Sequence, residues 1–210
     1  MPDRLVCRMK LLLSSANFSA ALACASIVGC FHLPASADAS SFAARAAAAG
    51  DSGGQVFAVV DKAAATVSLY DAVGKLMATS PVLIGQAKCD ASVSGVGERY
   101  MQEIAPHERT TPAGRFKSEP GRNLGGEAIV WIDYEAGVSM HRLRPSDPLE
   151  KRPERLATVT PLDNRITYGC VNVTADFYDR WVMPSLGKTL GVVYVLPETQ
   201  PANKLFAFLQ

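Results

Sequence analysis

Short apolar runs broken by turn residues dominate the chain from residue 56 onward, and stretches of helical period are rare. Val56 to Val60 is the first run, and Thr66 to Tyr70 alternates apolar with polar positions, the mark of a half-buried strand. Asp71-Ala72-Val73-Gly74 reads as a turn, and a third strand follows from Lys75 to Ile84, stopped at Gly85. Thr111-Pro112-Ala113-Gly114 is a second turn feeding a strand at Arg115-Phe116-Lys117. Ala128 to Tyr134 is the most continuous apolar run and reads as a central strand. Gly137 then turns the chain into Val138-Ser139-Met140-His141, where the period of two sets Val138 and Met140 on one side and Ser139 and His141 on the other. Thr189 to Leu196 closes the series before Pro197. One helix stands out late: Thr174 can cap it, and Phe177, Tyr178, Trp181 and Val182 form its apolar face. The pattern predicts a mainly β domain, a β-sandwich or curled mixed sheet, with one helix after residue 170.

The remaining segments read differently. Arg4, Arg8 and Lys10 precede an apolar, small-residue stretch from Leu11 to Leu33, and Ala35-Ser36-Ala37 supplies a cleavage site, so residues 1–37 read as an export signal. Ile27-Val28-Gly29-Cys30 is the rival reading, a lipoprotein processing box that would leave a lipid anchor on Cys30. Residues 38–54 are rich in Ala, Gly and Ser and read as a spacer, whose alanines could form a short helix ended by the glycines, before a domain at 55–197, with 198–210 as a tail. Gln86 to Thr110 is polar and without period, and reads as a flap over a cleft. Arg142 to Asn164 carries five Arg and Lys residues among four prolines and reads as a charged loop; solvation is the default for such a run, substrate carboxylates the sharper alternative.

Composition narrows the function. A 210-residue chain that is 48% hydrophobic can bury one real core. A formal charge of +1, falling to −1 without residues 1–37, argues against nucleic acid as a partner. Three of the five cysteines (Cys7, Cys24, Cys30) lie in the expected signal, leaving Cys89 and Cys170, which in an oxidising compartment could pair as one disulfide. No His/Cys spacing suggests a metal, and no cofactor is expected.

The distinctive stretch is Arg165-Ile166-Thr167-Tyr168-Gly169-Cys170-Val171-Asn172, which presents a thiol on a tight turn beside apolar residues. A thiol is a strong nucleophile as thiolate, and an imidazole that takes its proton makes it one. His141 stands on a strand face opposite its apolar neighbours; His107, between Pro106 and Glu108, reads as an exposed rival. If Cys170 and His141 meet, the pair can attack an amide or ester carbonyl, with backbone N–H groups around Tyr168, Gly169 and Cys170 as oxyanion donors.

Thr111-Pro112-Ala113-Gly114-Arg115-Phe116, His141 and Thr167 to Asn172 together resemble the L,D-transpeptidase catalytic-domain family. That family reads T-P-x-G-x-F, a histidine, then S/T-H-G-C-hydrophobic-R/N, in the same order over about residues 55–197. Tyr168 stands where the family has histidine, and Arg142 where it has glycine. The resemblance implies an exported cysteine transpeptidase with Cys170 as nucleophile and His141 as general base. Peptidoglycan stem peptides are the implied donors, and another stem or an outer-membrane lipoprotein the implied acceptor. Thr167 and Asn172, at the motif flanks, are expected to shape the site, and Arg165 and Arg142 to hold stem-peptide carboxylates. Two alternatives stay open: a non-catalytic wall-binding domain, and a hydrolytic cysteine peptidase of the same fold.

Overall fold

The computed structural model describes residues 37–144 and 147–210. The expected export signal and the Cys30 anchor lie outside the described residues. The strands are β1 (Phe57–Asp61), β2 (Thr66–Tyr70), β3 (Leu76–Pro81), β4 (Ile84–Gly85), β5 (Gly114–Arg122), β6 (Ala128–Asp133), β7 (Val138–Arg142), β8 (Arg165–Thr167), β9 (Val171–Val173) and β10 (Gly191–Val195). Eight of them form one mixed sheet in the order β3-β2-β1-β10-β5-β6-β7-β9, while β4 and β8 pair separately. Most neighbours are antiparallel; β1–β10, β7–β9 and β4–β8 run parallel. A bridge between Leu83 and Asn172 ties the small pair to β9. The protein is therefore mainly β with a large mixed sheet.

Alternation along β1 and β10 sends side chains into two separate cores. Ala58, Val60, Val193 and Val195 join Val130, Met140, Val171, Val173 and the helical segment after β9 in the larger one. That segment, α3, runs from Thr174, whose hydroxyl accepts the Phe177 N–H at 3.2 Å, through Ala175–Phe177, a π-helical turn Tyr178–Val182 and Met183–Ser185. It buries Phe177, Tyr178 and Val182, three of the four residues of the expected apolar face.

The opposite faces of β1, β2 and β10 hold Phe57, Val59, Tyr70, Val192 and Tyr194, and are covered by residues expected to lie outside the domain. Residues 37–48 are a helix, α1 (Ala37–Ala48), whose Ala39, Phe42, Ala43 and Ala46 are buried. Those positions follow the i, i+3, i+4, i+7 stripe of a helix packed on one face. The expected spacer at 38–54 is thus in large part a wall of the fold. The expected tail is integral as well: Phe206 is 2% exposed, and its ring packs edge-on to Phe42 at 4.7 Å.

A buried ionic hub fastens the long insertion to the body. Lys62 donates to Asp90 Oδ1 (2.8 Å) and to the carbonyls of Cys89 (2.7 Å) and Thr111 (3.1 Å), with Glu198 at 3.6 Å. Burial pushes the Asp90 carboxyl up, but hydrogen bonds from Lys62, Thr199 and the backbone at 198 and 199 hold it below its ordinary value. Residues 86–110 form short 3-10 turns at Val96–Glu98, Met101–Glu103 and Pro106–Glu108, braced by an Arg99–Glu108 pair at 3.1 Å. No helix among the described residues is long and apolar enough to cross a membrane.

Candidate active site

The thiol of Cys170 sits where the chain leaves β8, makes one turn and enters β9. Thr167 builds that turn: its hydroxyl donates to the Cys170 carbonyl (2.7 Å) and accepts the Gly169 N–H (3.2 Å). Gly169 has φ +132, and a Cβ there would lie 2.5 Å from the Thr110 carbonyl oxygen, so glycine is required on both counts. Thr111 pins the turn from the other side, its hydroxyl donating to the Gly169 carbonyl (2.7 Å) and accepting the Gly85 N–H (2.8 Å). The threonine of the T-P-x-G-x-F motif therefore holds the turn that carries the cysteine.

Register decides what shares the face with the thiol. Val171 and Val173 point into the core, so Cys170 and Asn172 face the other way. On β7 the same alternation puts Ser139 and His141 on that face. His141 pairs with Asn172 across the parallel ladder, and Trp131 of β6 pairs with Ser139. The Cys170 Sγ lies 3.6 Å from Ser139 Oγ and 3.7 Å from the Gly137 carbonyl. Trp131 lies across Gly121 of β5, where an added Cβ would come within 2.4 Å of the indole nitrogen. Cys170 and Trp131 are each half-buried, whereas Ser139 and His141 lie deeper.

His141 is in the neighbourhood, but not bonded to the thiol. Its Nδ1 lies 2.7 Å from the Arg142 carbonyl oxygen and its Nε2 3.0 Å from Asn172 Nδ2. A protonated Nδ1 donating to Arg142, with Nε2 accepting from the Asn172 amide, satisfies both contacts. Asn172 Oδ1 in turn accepts from Arg152 (3.2 Å), whose Nε donates to Glu150 (2.7 Å). Among the described residues no hydrogen bond joins His141 to Cys170. Burial is the main force on the imidazole and pushes its pKa down to about 4; the Arg142 carbonyl and Glu127 oppose this, while Arg144 and Arg152 add to it.

The other expected site residues divide. Cys170 and Cys89 are not joined in a disulfide, so the disulfide alternative does not hold. Asn172 does touch the imidazole. Thr167 serves the turn, and its hydroxyl already holds the Gly169 N–H that was expected to serve an oxyanion. Tyr168 lies under the Arg109 guanidinium, 4.0 Å from its ring centroid, which makes the 86–110 insertion a side wall of the site. Neither expected carboxylate-binding arginine is free. Arg142, on the face opposite His141, donates to Asp179 (2.8 Å from Nε) and stacks on Tyr178 at 4.3 Å. Arg165 pairs with Glu198, its side chain 10% exposed, and donates to the Lys62 carbonyl (3.1 Å). His107 is exposed, as its sequence neighbours suggested.

Sequence reasoning missed Ser139, Trp131, Arg152 and the role of Thr111. Ser139 and Trp131 were accessible in principle, because alternation in β6 and β7 puts both on the polar side. Arg152 was not, since its reach to Asn172 depends on the path of the 143–164 segment. Among the described residues no group of three or more His, Cys, Asp or Glu side chains is placed to hold a metal.

The sequence matches no protein-family model and no curated protein. Solved structures similar to it include L,D-transpeptidase 1 of Mycobacterium tuberculosis, at 17% identity and TM-score 0.39, covering 67% of this chain and 61% of that one. The helical cell shape determining protein Pgp2 of Campylobacter jejuni is similar at 15% identity and TM-score 0.44, covering 70% and 49%. The catalytic domain of the E. faecium L,D-transpeptidase is similar at 20% identity and TM-score 0.35, covering 68% and 97%. This chain thus spans less than two thirds of the length of the first two.

Proposed function

We propose that this chain is an exported cysteine acyltransferase acting on peptidoglycan stem peptides, an L,D-transpeptidase with Cys170 as nucleophile. One observation carries the reading: a free, half-exposed thiol on a glycine-dependent turn, with Ser139, His141 and Asn172 on the same sheet face. The motif resemblance supplies the substrate class, and the export signal expected over residues 1–37 suits a cell-wall substrate.

Nε2 of His141 is the working base in this scheme. Nδ1–H donates to the Arg142 carbonyl, so the Nε2 lone pair points away from the backbone anchor. Cys170 and Asn172 are two positions apart on one strand, roughly 7 Å, so a side-chain rotation carries Nε2 from Asn172 toward the sulfur. The thiol proton passes to Nε2, and the thiolate attacks the carbonyl of the third stem residue. The Gly169 N–H is already bonded, leaving the Tyr168 and Cys170 N–H groups as donors to the oxyanion. Collapse breaks the C–N bond, the imidazolium proton goes to the departing D-alanine amine, and a thioester remains. An acceptor amine then gives a proton to His141 and attacks the thioester, breaking C–S and restoring the thiol. The acceptor is an amine on a second stem, giving a 3→3 cross-link, or one on an outer-membrane lipoprotein; a lipid on Cys30 would tether the enzyme.

The non-catalytic wall-binding alternative has one observation in its favour, the imidazole bonded to Asn172 instead of the thiol. Mass spectrometry of muropeptides after incubation with the wild type and with Cys170→Ala separates the readings. New 3→3 linkages that require Cys170 support transfer, and stems shortened without linkage support hydrolysis. Wall binding without any change in the muropeptides, together with a thiol inert to iodoacetamide, sinks the enzyme.

A further inference from the structure

The chain between His141 and Cys170 comes back onto the site through Arg152. It carries α2 (Arg152–Ala157), preceded by a 3-10 turn at Pro148–Glu150. A cleft of about 240 Å3 opens there, lined by Arg144, Asp147, Lys151, Arg152 and Glu154 with two prolines. Its charges are not equally engaged. Arg144 pairs with Glu127 at 2.8 Å, Arg152 with Glu150 at 2.7 Å, and the Asp147 carboxylate accepts the Leu149 N–H at 2.9 Å. Lys151 is exposed, and its ammonium has no partner among the described residues. It also holds a left-handed backbone, φ 48, a conformation that non-glycine residues rarely adopt.

Arg152 belongs to both this cleft and the site. One of its terminal nitrogens is 3.2 Å from Asn172 Oδ1, and the Asn172 amide nitrogen is 3.0 Å from His141 Nε2. The acyl-transfer scheme requires Nε2 to leave that amide. A neutral amide oxygen at 3.2 Å is a weaker partner for guanidinium than a carboxylate, which binds it in paired, charge-assisted bonds. An incoming carboxylate can therefore displace Asn172 from Arg152.

We infer that the Lys151–Arg152 cleft is a carboxylate-binding site whose occupancy releases Asn172 and thereby frees His141 for Cys170. The ligand class is a peptide carrying a free carboxylate. Two residues of β9 plus one side-chain contact separate the sulfur from Arg152, roughly 10 Å, within the span of about three extended residues. Ligand binding and base release are then two readings of one equilibrium, since the carboxylate binds better when Arg152 has let go of Asn172. Arg152 acts here as a positioning residue. The inference rests on the acyl-transfer reading only for its consequence at the thiol.

The test uses the full chain with N-acetyl-D-alanine as probe and its neutral amide, N-acetyl-D-alaninamide, as control. Nuclear magnetic resonance follows the Asn172 side-chain amide and the His141 ring nitrogens, and iodoacetamide alkylation follows Cys170 in parallel. The carboxylate is expected to shift both sets of signals and to raise the alkylation rate about tenfold at saturation, as a population shift of that size requires, while the amide does neither. Lys151→Met raises the half-saturating concentration. Arg152→Lys keeps the charge but loses the fork, so the probe still binds weakly while its effect on alkylation falls; Arg152→Gln loses both responses.

Equal responses to acid and amide overturn the site, as does Arg152→Gln responding like the wild type. Probe shifts that leave Asn172 and His141 unmoved overturn the coupling. A thiol inert under every condition while the shifts persist sinks the acyl-transfer reading and leaves the carboxylate site. A readily alkylated thiol with no probe response does the reverse.

Discussion

The two ends of the large sheet are built from the same alternating strands and put to opposite uses. At the β1–β2–β10 end both faces are covered, one by the main core and the other by α1 and the C-terminal segment, and both are mainly apolar. At the β6–β7–β9 end the face away from the core carries Trp131, Ser139, His141, Cys170 and Asn172, of which Trp131 and Cys170 are half-buried and the other three buried. Strand register fixes which residues stand on that face, so the two ends differ in what they bury there: aromatic rings at one, hydrogen-bonded polar groups around a half-buried thiol at the other. Buried polar groups are costly unless hydrogen-bonded, and the contacts from His141 to Asn172 and from Arg152 to Asn172 supply those bonds.

The sharpest way to break the comparison is to remove the thiol. Cys170→Ala is expected to abolish transfer, at least about a thousandfold by muropeptide product formation, while changing Tm by a few degrees at most. The closed end should behave inversely. Phe42 is 4% exposed and packs edge-on to Tyr194, Phe206 and Phe208, so Phe42→Ala should cost about 3–5 kcal/mol in denaturant unfolding with kcat per folded molecule unchanged.

Acid sharpens the contrast. His141 has a folded pKa of about 4 against 6.5 for the free side chain, so the unfolded chain binds the proton first as pH falls. The stability this group contributes is full above pH 6.5 and disappears progressively down to pH 4, on the order of 3 kcal/mol in all. Urea unfolding across that window should show the slope in wild type and a smaller one in His141→Gln. The smallest effect is expected at Arg142, whose ion pair with Asp179 is well exposed: Arg142→Ala should move stability by at most about 1 kcal/mol. Transfer should be nearly untouched, because that side chain lies on the face away from the thiol.

Much of the β6–β7–β9 end could be read from the chain. The strand positions, the turn before Cys170, the placing of His141 opposite Val138 and Met140, and the cap at Thr174 all follow from local period and turn chemistry. Pairing between distant segments could not be read. Arg165 meets Glu198 and Arg142 meets Asp179, partners 33 and 37 residues away, so both guanidiniums looked free for a ligand. The β7–β9 register, which sets His141 against Asn172 and Ser139 beside Cys170, is likewise a tertiary fact. The closed end was misread for another reason. A short helix is within reach of the alanines, but its packing through Ala39, Phe42, Ala43 and Ala46 against the sheet is a tertiary fact that an alanine-rich composition does not announce.

The parallel seam between β1 and β10 joins Phe57 to Val192, 135 positions apart in sequence. That seam lies between the two ends of the sheet, so β5, β6, β7 and β9 cannot dock on β1 and β2 until nearly the whole polypeptide has been made. Such high contact order slows folding, because the entropy of closing a very long loop must be overcome before any contact across the seam rewards it.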